Sequence, residues 1–110
     1  MQTVSSVEAL REQLEDWRHS GDHIALVPTM GNLHEGHISL VRQAKSRADR
    51  VVVSLFVNPL QFNDPDDFKS YPSTFKEDSY KLAENGVDLL FNPSVDEIYP
   101  EGMESSTRVE

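Results

Sequence analysis

No cysteine occurs among the 110 residues. That absence excludes a disulfide framework and any thiolate metal site, and it suits a reducing compartment. Basic residues are scarce too: 10 Lys and Arg stand against 19 Asp and Glu, a formal net charge of −9. An acidic surface excludes a general nucleic-acid binder, which needs a basic footprint. It leaves room for one phosphate held in a local positive pocket. No apolar run approaches the roughly 20 residues of a membrane span. Met1 to Leu14 show neither the basic start nor the apolar core of a signal peptide. The expectation is a cytoplasmic protein with neither nucleic acid nor membrane as partner. A chain of this length supports one core and buries about 65% of its unfolded surface.

What is present alternates between helical and strand patterns. Val7, Leu10, Leu14 and Trp17 share one face of a helix over 5–20, with Ser5 and Glu8 at capping-box spacing and Gly21 as its stop. Ile24 to Val27 reads as a buried strand ended by Pro28. After a glycine-containing turn, a helix over 37–48 follows, with Leu40, Val41, Ala44 and Ala48 as its apolar face. Val51 to Val57 is the clearest strand: apolar, rich in β-branched residues, and closed by Asn58-Pro59. Asn63 to Tyr71 reads as a polar surface loop. A third helix spans 74–85, with Thr74 and Glu77 at capping-box spacing, Phe75, Tyr80, Leu82 and Ala83 facing inward, and Gly86 as its stop. Val87 to Phe91 is the last strand, and Ser94 with Glu97 starts a helical turn reaching Tyr99, closed by Pro100 and Gly102. Strands alternating with helices predict an α/β fold with a parallel sheet and flanking helices. Thr107 to Glu110 alternates like a strand and stops without a turn or cap, as a chain cut inside or before an element would.

The chemistry concentrates at His34-Glu35-Gly36-His37, after a strand and opening a helix. Ligands of open α/β sheets bind beyond the carboxyl ends of strands. A helix start offers free N–H groups and the positive end of a dipole. Two imidazoles three residues apart add donors, and Gly31 and Gly36 allow close backbone approach. Together they make a triphosphate cradle. A zinc site does not fit, because the metalloprotease helix needs H-E-x-x-H and this is H-E-G-H. His19 and His23 read as solvated surface residues. Gln61, in Asn58-Pro59-Leu60-Gln61-Phe62 at the end of the clearest strand, either holds a substrate carboxylate or hydroxyl or is an ordinary loop amide. Asp64 to Asp67 lacks the ligand spacing of a calcium loop and reads as solvated. Met30 serves either as core filler or as substrate wall.

Pro28 to His37, read as Pro-Thr-Met-Gly-Asn-Leu-His-Glu-Gly-His, resembles the ATP-site signature of the pantothenate synthetases (pantoate–β-alanine ligases). Val53 to Phe62 resembles their second signature. Tyr71-Pro72, Val87 to Ser94 and Glu97-Ile98-Tyr99-Pro100 match in order and spacing, so the resemblance covers essentially all 110 residues. The His turn alone is shared by many nucleotidyltransferases; its pairing with Asn58 to Phe62 is far more specific.

The resemblance implies a Rossmann-like fold of the HIGH-type nucleotidyltransferase group, with residues 1–110 as the amino-terminal part of an ATP- and pantoate-binding domain. It implies a ligase with ATP, Mg2+, pantoate and β-alanine as its small molecules and a homodimeric parent enzyme. In the implied reaction, pantoate carboxylate attacks the α-phosphorus of ATP, giving pantoyl adenylate and pyrophosphate. β-Alanine then displaces AMP. By resemblance, Met30, Gly31, Asn32, Leu33, His34, Glu35, Gly36 and His37 contact ATP. His34 and His37 lie along the phosphates, His37 as proton donor. Gln61, with Met30, contacts pantoate, and Gln61 also takes part in the β-alanine step.

Two departures stand out. Ser73 replaces a basic residue common after Tyr-Pro. The chain also stops before the lysine-bearing phosphate loop, the second pantoate-binding glutamine and the smaller carboxyl-terminal domain of that family. Lys45, Lys69, Lys76 and Lys81 do not stand in a motif of the missing type. The expectation is therefore a fragment of a ligase without turnover of its own, with an isolated nucleotide- or pantoate-binding half-site, or an inert folded piece, as the alternatives.

Overall fold

The computed structural model describes residues 1–57 and 74–98. Its elements are β1 (Gln2–Val4), α1 (Val7–His19), β2 (Ile24–Thr29), α2 (Glu35–Arg47), β3 (Arg50–Leu55), α3 (Phe75–Glu84), β4 (Leu89–Phe91) and α4 (Val95–Ile98). The strands form one four-stranded sheet in the order β1-β4-β3-β2, and every pairing is parallel. The expected α/β architecture is borne out.

β3 lies inside the sheet, and its run of β-branched residues suits cover on both faces. Val51, Val53 and Leu55 pack with Val27, Leu33, Val41, Leu82, Val87 and Leu90 in one core cluster. Val52 and Leu89 are buried as well, and Val52 alternates to the opposite side of the sheet. Full burial of each such side chain contributes about 1.5–3 kcal/mol. The chain steps from β1 across the sheet to β2, then back through β3 to β4. With right-handed crossovers, that reversal puts α1 on one face and α2 with α3 on the other.

The sequence reading missed β1. Gln2, Thr3 and Val4 are too few and too polar to show a pattern, and they become a strand only by pairing with Leu89, Leu90 and Phe91. Ser6, not Ser5, caps α1, its Oγ accepting the Ala9 N–H at 3.1 Å. Pro28 does not end β2, which runs on to Thr29. β2 is an edge strand of the described sheet, where proline's missing N–H costs no ladder bond. α2 begins at Glu35 and buries Ile38 and Val41, while Leu40 is 51% exposed. Ile38 and Val41, three residues apart, share the face turned to the core, and Leu40 falls to its side. β3 and β4 are each shorter than expected, since neither Phe56-Val57 nor Val87-Asp88 is strand.

The helix stops hold: Gly21 and Gly86 both have positive φ, at 84° and 80°. α4 is capped by Ser94 Oγ, which accepts the Glu97 N–H at 3.2 Å. Glu97 in turn accepts the Val7 N–H, tying α4 to the start of α1.

Candidate functional site

β2 delivers the chain to the carboxyl rim of the sheet, and Met30 to His34 turn it into α2. Gly31 and Asn32 hold φ of 89° and 53°, a left-handed pair that only glycine and, less often, asparagine adopt at low cost. Leu33 drops its side chain into the core and is only 4% exposed. The turn is gripped from α3. Asp78 Oδ2 accepts the Asn32 N–H at 2.8 Å and Asp78 Oδ1 accepts the Leu33 N–H at 2.9 Å. Thr74 Oγ1 donates to Asp78 at 2.7 Å and accepts from Asn32 N–H at 2.9 Å. Lys81 Nζ donates to the Leu33 carbonyl at 3.0 Å. A buried carboxylate is tolerated when hydrogen-bond donors replace its water, as these do.

The imidazoles cap α2. His34 takes the N-cap position usually held by Ser, Thr, Asp or Asn. Its Nδ1 accepts the Gly36 N–H at 3.0 Å, and His37 Nδ1 accepts the His34 N–H at 3.2 Å. In the neutral ring an accepting Nδ1 places the proton on Nε2. Both rings therefore present an Nε2–H donor, and their centroids are 4.2 Å apart. The pKa of His37 is pushed down, mainly by partial burial and then by His34, against an upward pull from Asp78. Gly36 makes this cap possible: a Cβ there would lie 2.8 Å from His34 Cε1.

The family model described as Pantoate-beta-alanine ligase matches residues 2–110. The chain belongs to the pantoate–β-alanine ligase family. It is 56% identical to the pantothenate synthetase of Thioalkalivibrio sulfidiphilus over the whole chain, and spans 38% of that relative's length. Among solved structures it is similar to the pantothenate synthetase of Thermus thermophilus, with TM-score 0.82 and 48% identity over 93% of this chain and 35% of that one. It is also similar to the Francisella tularensis pantoate-beta-alanine ligase complexed with beta-gamma ATP and beta-alanine, with TM-score 0.79 and 47% identity over 93% of this chain and 39% of that one. The expected HIGH-type nucleotidyltransferase fold is borne out by these likenesses.

In this member of the pantoate–β-alanine ligase family, one expectation needs correcting. The turn does not offer a run of free amides. The N–H groups of Asn32, Leu33, His34 and Gly36 already have side-chain acceptors, and Gly31 N–H points to Thr29 Oγ1 at 3.4 Å. The left-handed pair turns the Asn32 and Leu33 N–H groups toward Asp78, the His34 and Gly36 N–H groups are taken by the rings, and the imidazole edges become the outward donors. His34 and Glu35 are exposed, while Met30 and His37 are half-buried.

Gln61 and the rest of Asn58 to Phe62 lie outside the described residues, as do Asp64 to Asp67, Lys69, Tyr71-Pro72, Ser73, Tyr99 to Gly102 and Thr107 to Glu110. His19 and His23 are exposed, as expected. Among the described residues no group of three or more His, Asp or Glu is placed to hold a metal. Asp78, the carboxylate at the turn, has both oxygens engaged, so these residues do not fit a magnesium ion.

Sequence reasoning missed Asp78 and Thr74. It read Thr74 as a cap paired with Glu77, but Thr74 makes no side-chain cap bond. It placed Phe75 and Tyr80 inward, whereas both are exposed and Asp78 with Leu82 is buried. The available signal was Thr74, Asp78 and Lys81 at i, i+4 and i+7, one polar stripe on a helix.

Proposed function

We propose that this chain is the amino-terminal, nucleotide-holding part of a ligase that condenses pantoate with β-alanine at the expense of ATP, through a pantoyl adenylate. One observation carries the reading: both imidazoles at the start of α2 accept backbone N–H groups at Nδ1, which leaves two Nε2–H donors side by side. Nucleotidyl transfer needs charge stabilisation and alignment more than covalent help from the protein. Two fixed donors and the positive end of the 13-residue helix α2 meet that need for a polyphosphate. His34 and His37 are the proposed catalytic residues. Met30 to His37 form the ATP site, and Met30 with Gln61 the pantoate and β-alanine side. Here Asn32 and Leu33 act through the turn's shape, because their amides are engaged.

Under this reading the intact enzyme is a cytoplasmic homodimer that uses ATP with Mg2+. No helix among the described residues is long and apolar enough to cross a membrane. Because the chain spans 38% of its relative, a second reading has it as a half-site that binds nucleotide without turnover.

The test is His37→Ala in the intact protein, followed by pyrophosphate release on addition of ATP and pantoate. We expect adenylate formation to fall by about 10²-fold with the fold retained. A rate near wild type would reject the assignment. Titrating ATP into the 110-residue chain, with pyrophosphate exchange measured alongside, separates binding from turnover.

A further inference from the structure

We propose that Asp78 is a positioning residue for the nucleotide site: by holding the Asn32–Leu33 peptide it sets the place of His34 and His37. The inference rests on the proposed nucleotide role of the His turn. Asp78 is the one buried charged side chain among the described residues, at 1% exposure. An apolar side chain there would leave the Leu33 amide without an acceptor, so the carboxylate serves the fold. It also supplies direction. Its two oxygens take two successive amides, at 2.8 and 2.9 Å, and so fix the orientation of the two peptides on either side of Asn32.

The rest of the stripe acts in the same sense. Thr74 Oγ1 lies against both Asn32 N–H and Asp78. Lys81 Nζ holds the Leu33 carbonyl, so α3 grips the turn from its donor and acceptor sides. Gly31 makes room, since a Cβ there would sit 3.3 Å from Asp78 Oδ2. The peptide after Leu33 begins His34, whose N–H is bound to His37 Nδ1. Loosening the grip would let the left-handed pair relax. The N-cap ring and its partner ring would then move together, without either being touched by the substitution.

The experiment uses the intact protein with Asp78→Asn, Thr74→Val and Thr74→Ser. ATP affinity is measured by calorimetry, and the imidazole resonances of His34 and His37 by NMR in the absence of nucleotide. Asparagine keeps the shape but puts an NH2 donor where one carboxylate oxygen stood, facing one of the two amides with a donor instead of an acceptor. We expect Asp78→Asn to weaken ATP binding about tenfold or more and to shift both imidazole signals. Thr74→Val should weaken binding about threefold, and Thr74→Ser, which keeps the hydroxyl, should restore it. If Asp78→Asn does not fold, the Thr74 pair decides. Folded variants with lower melting temperature but unchanged ATP affinity and unchanged imidazole signals would show a merely structural role and overturn the inference. If the wild type itself does not bind ATP, the proposed function fails, and the imidazole signals alone then decide whether Asp78 positions the rings.

Discussion

At the amino-terminal end of β3, aspartates also hold backbone amides. Asp88 Oδ2 accepts the Val51 N–H and Asp49 Oδ2 the His23 N–H, each at 2.8 Å. Arg50 bridges Asp22 at 3.0 Å and Asp88 at 3.6 Å, and its guanidinium stacks over Trp17 at 5.2 Å. These groups stand partly in water: the side chains of Asp22, Asp88 and Arg50 are 23%, 24% and 40% exposed. At the carboxyl rim the same chemistry is built dry, around Asp78. Where water can replace a lost partner, removing the carboxylate changes little. Where it cannot, each stranded amide keeps its full desolvation cost. The open end closes the fold; the dry end fixes the geometry on which the candidate site depends.

That contrast can be broken most directly by two alanines. Asp78→Ala strands the buried Leu33 amide, leaves Asn32 N–H only Thr74 Oγ1, and should cost up to about 3 kcal/mol in urea unfolding, the upper end for one stranded group. Asp22→Ala should leave the melting temperature close to wild type, because its partner is screened by solvent. Equal losses at the two ends would erase the distinction.

The glycines sharpen it on a smaller scale. Gly21, at φ 84°, has nothing within 4 Å of a built Cβ, whereas Gly31, at φ 89°, would meet Asp78 and Leu55 at 3.3 and 3.4 Å. Gly21→Ala should therefore cost only the conformational penalty, about 1 kcal/mol. Gly31→Ala should cost about twice that, since strain and crowding of the carboxylate add. Thermal unfolding of the pair checks the order, and a costlier Gly21→Ala would contradict it.

The smallest effect concerns pH. His37 titrates below its ordinary 6.5 in the fold, so the unfolded chain binds more protons just below that value. Stability should then be complete above about pH 6.5 and decline as pH falls through the folded pKa. Melting curves of wild type and His37→Gln across that window should converge on acidification. Parallel curves would remove His37 as the cause.

Much of this was legible in one dimension. The β-branched run of β3, the spacing of Val7, Leu10, Leu14 and Trp17, and the glycine stops are local signals, and each appears in the structure. So is His34-Glu35-Gly36-His37 at a helix start. β1 was not legible, because three residues acquire strand character only from β4. Nor was the inward face of α3. Hydrophobic periodicity gives an aspartate to solvent, and only the turn through Asn32 and Leu33 supplies the donors that let Asp78 be buried.

The sequence by itself determined the alternation of strands and helices, the parallel sheet and the pairing of two imidazoles with a helix start. These follow from the order and spacing of side chains along one stretch of chain. Tertiary structure alone decided which backbone groups of the turn face inward, and that α3 holds them. Both depend on residues more than 40 positions apart meeting in space, with Asp78 and Leu33 separated by 45.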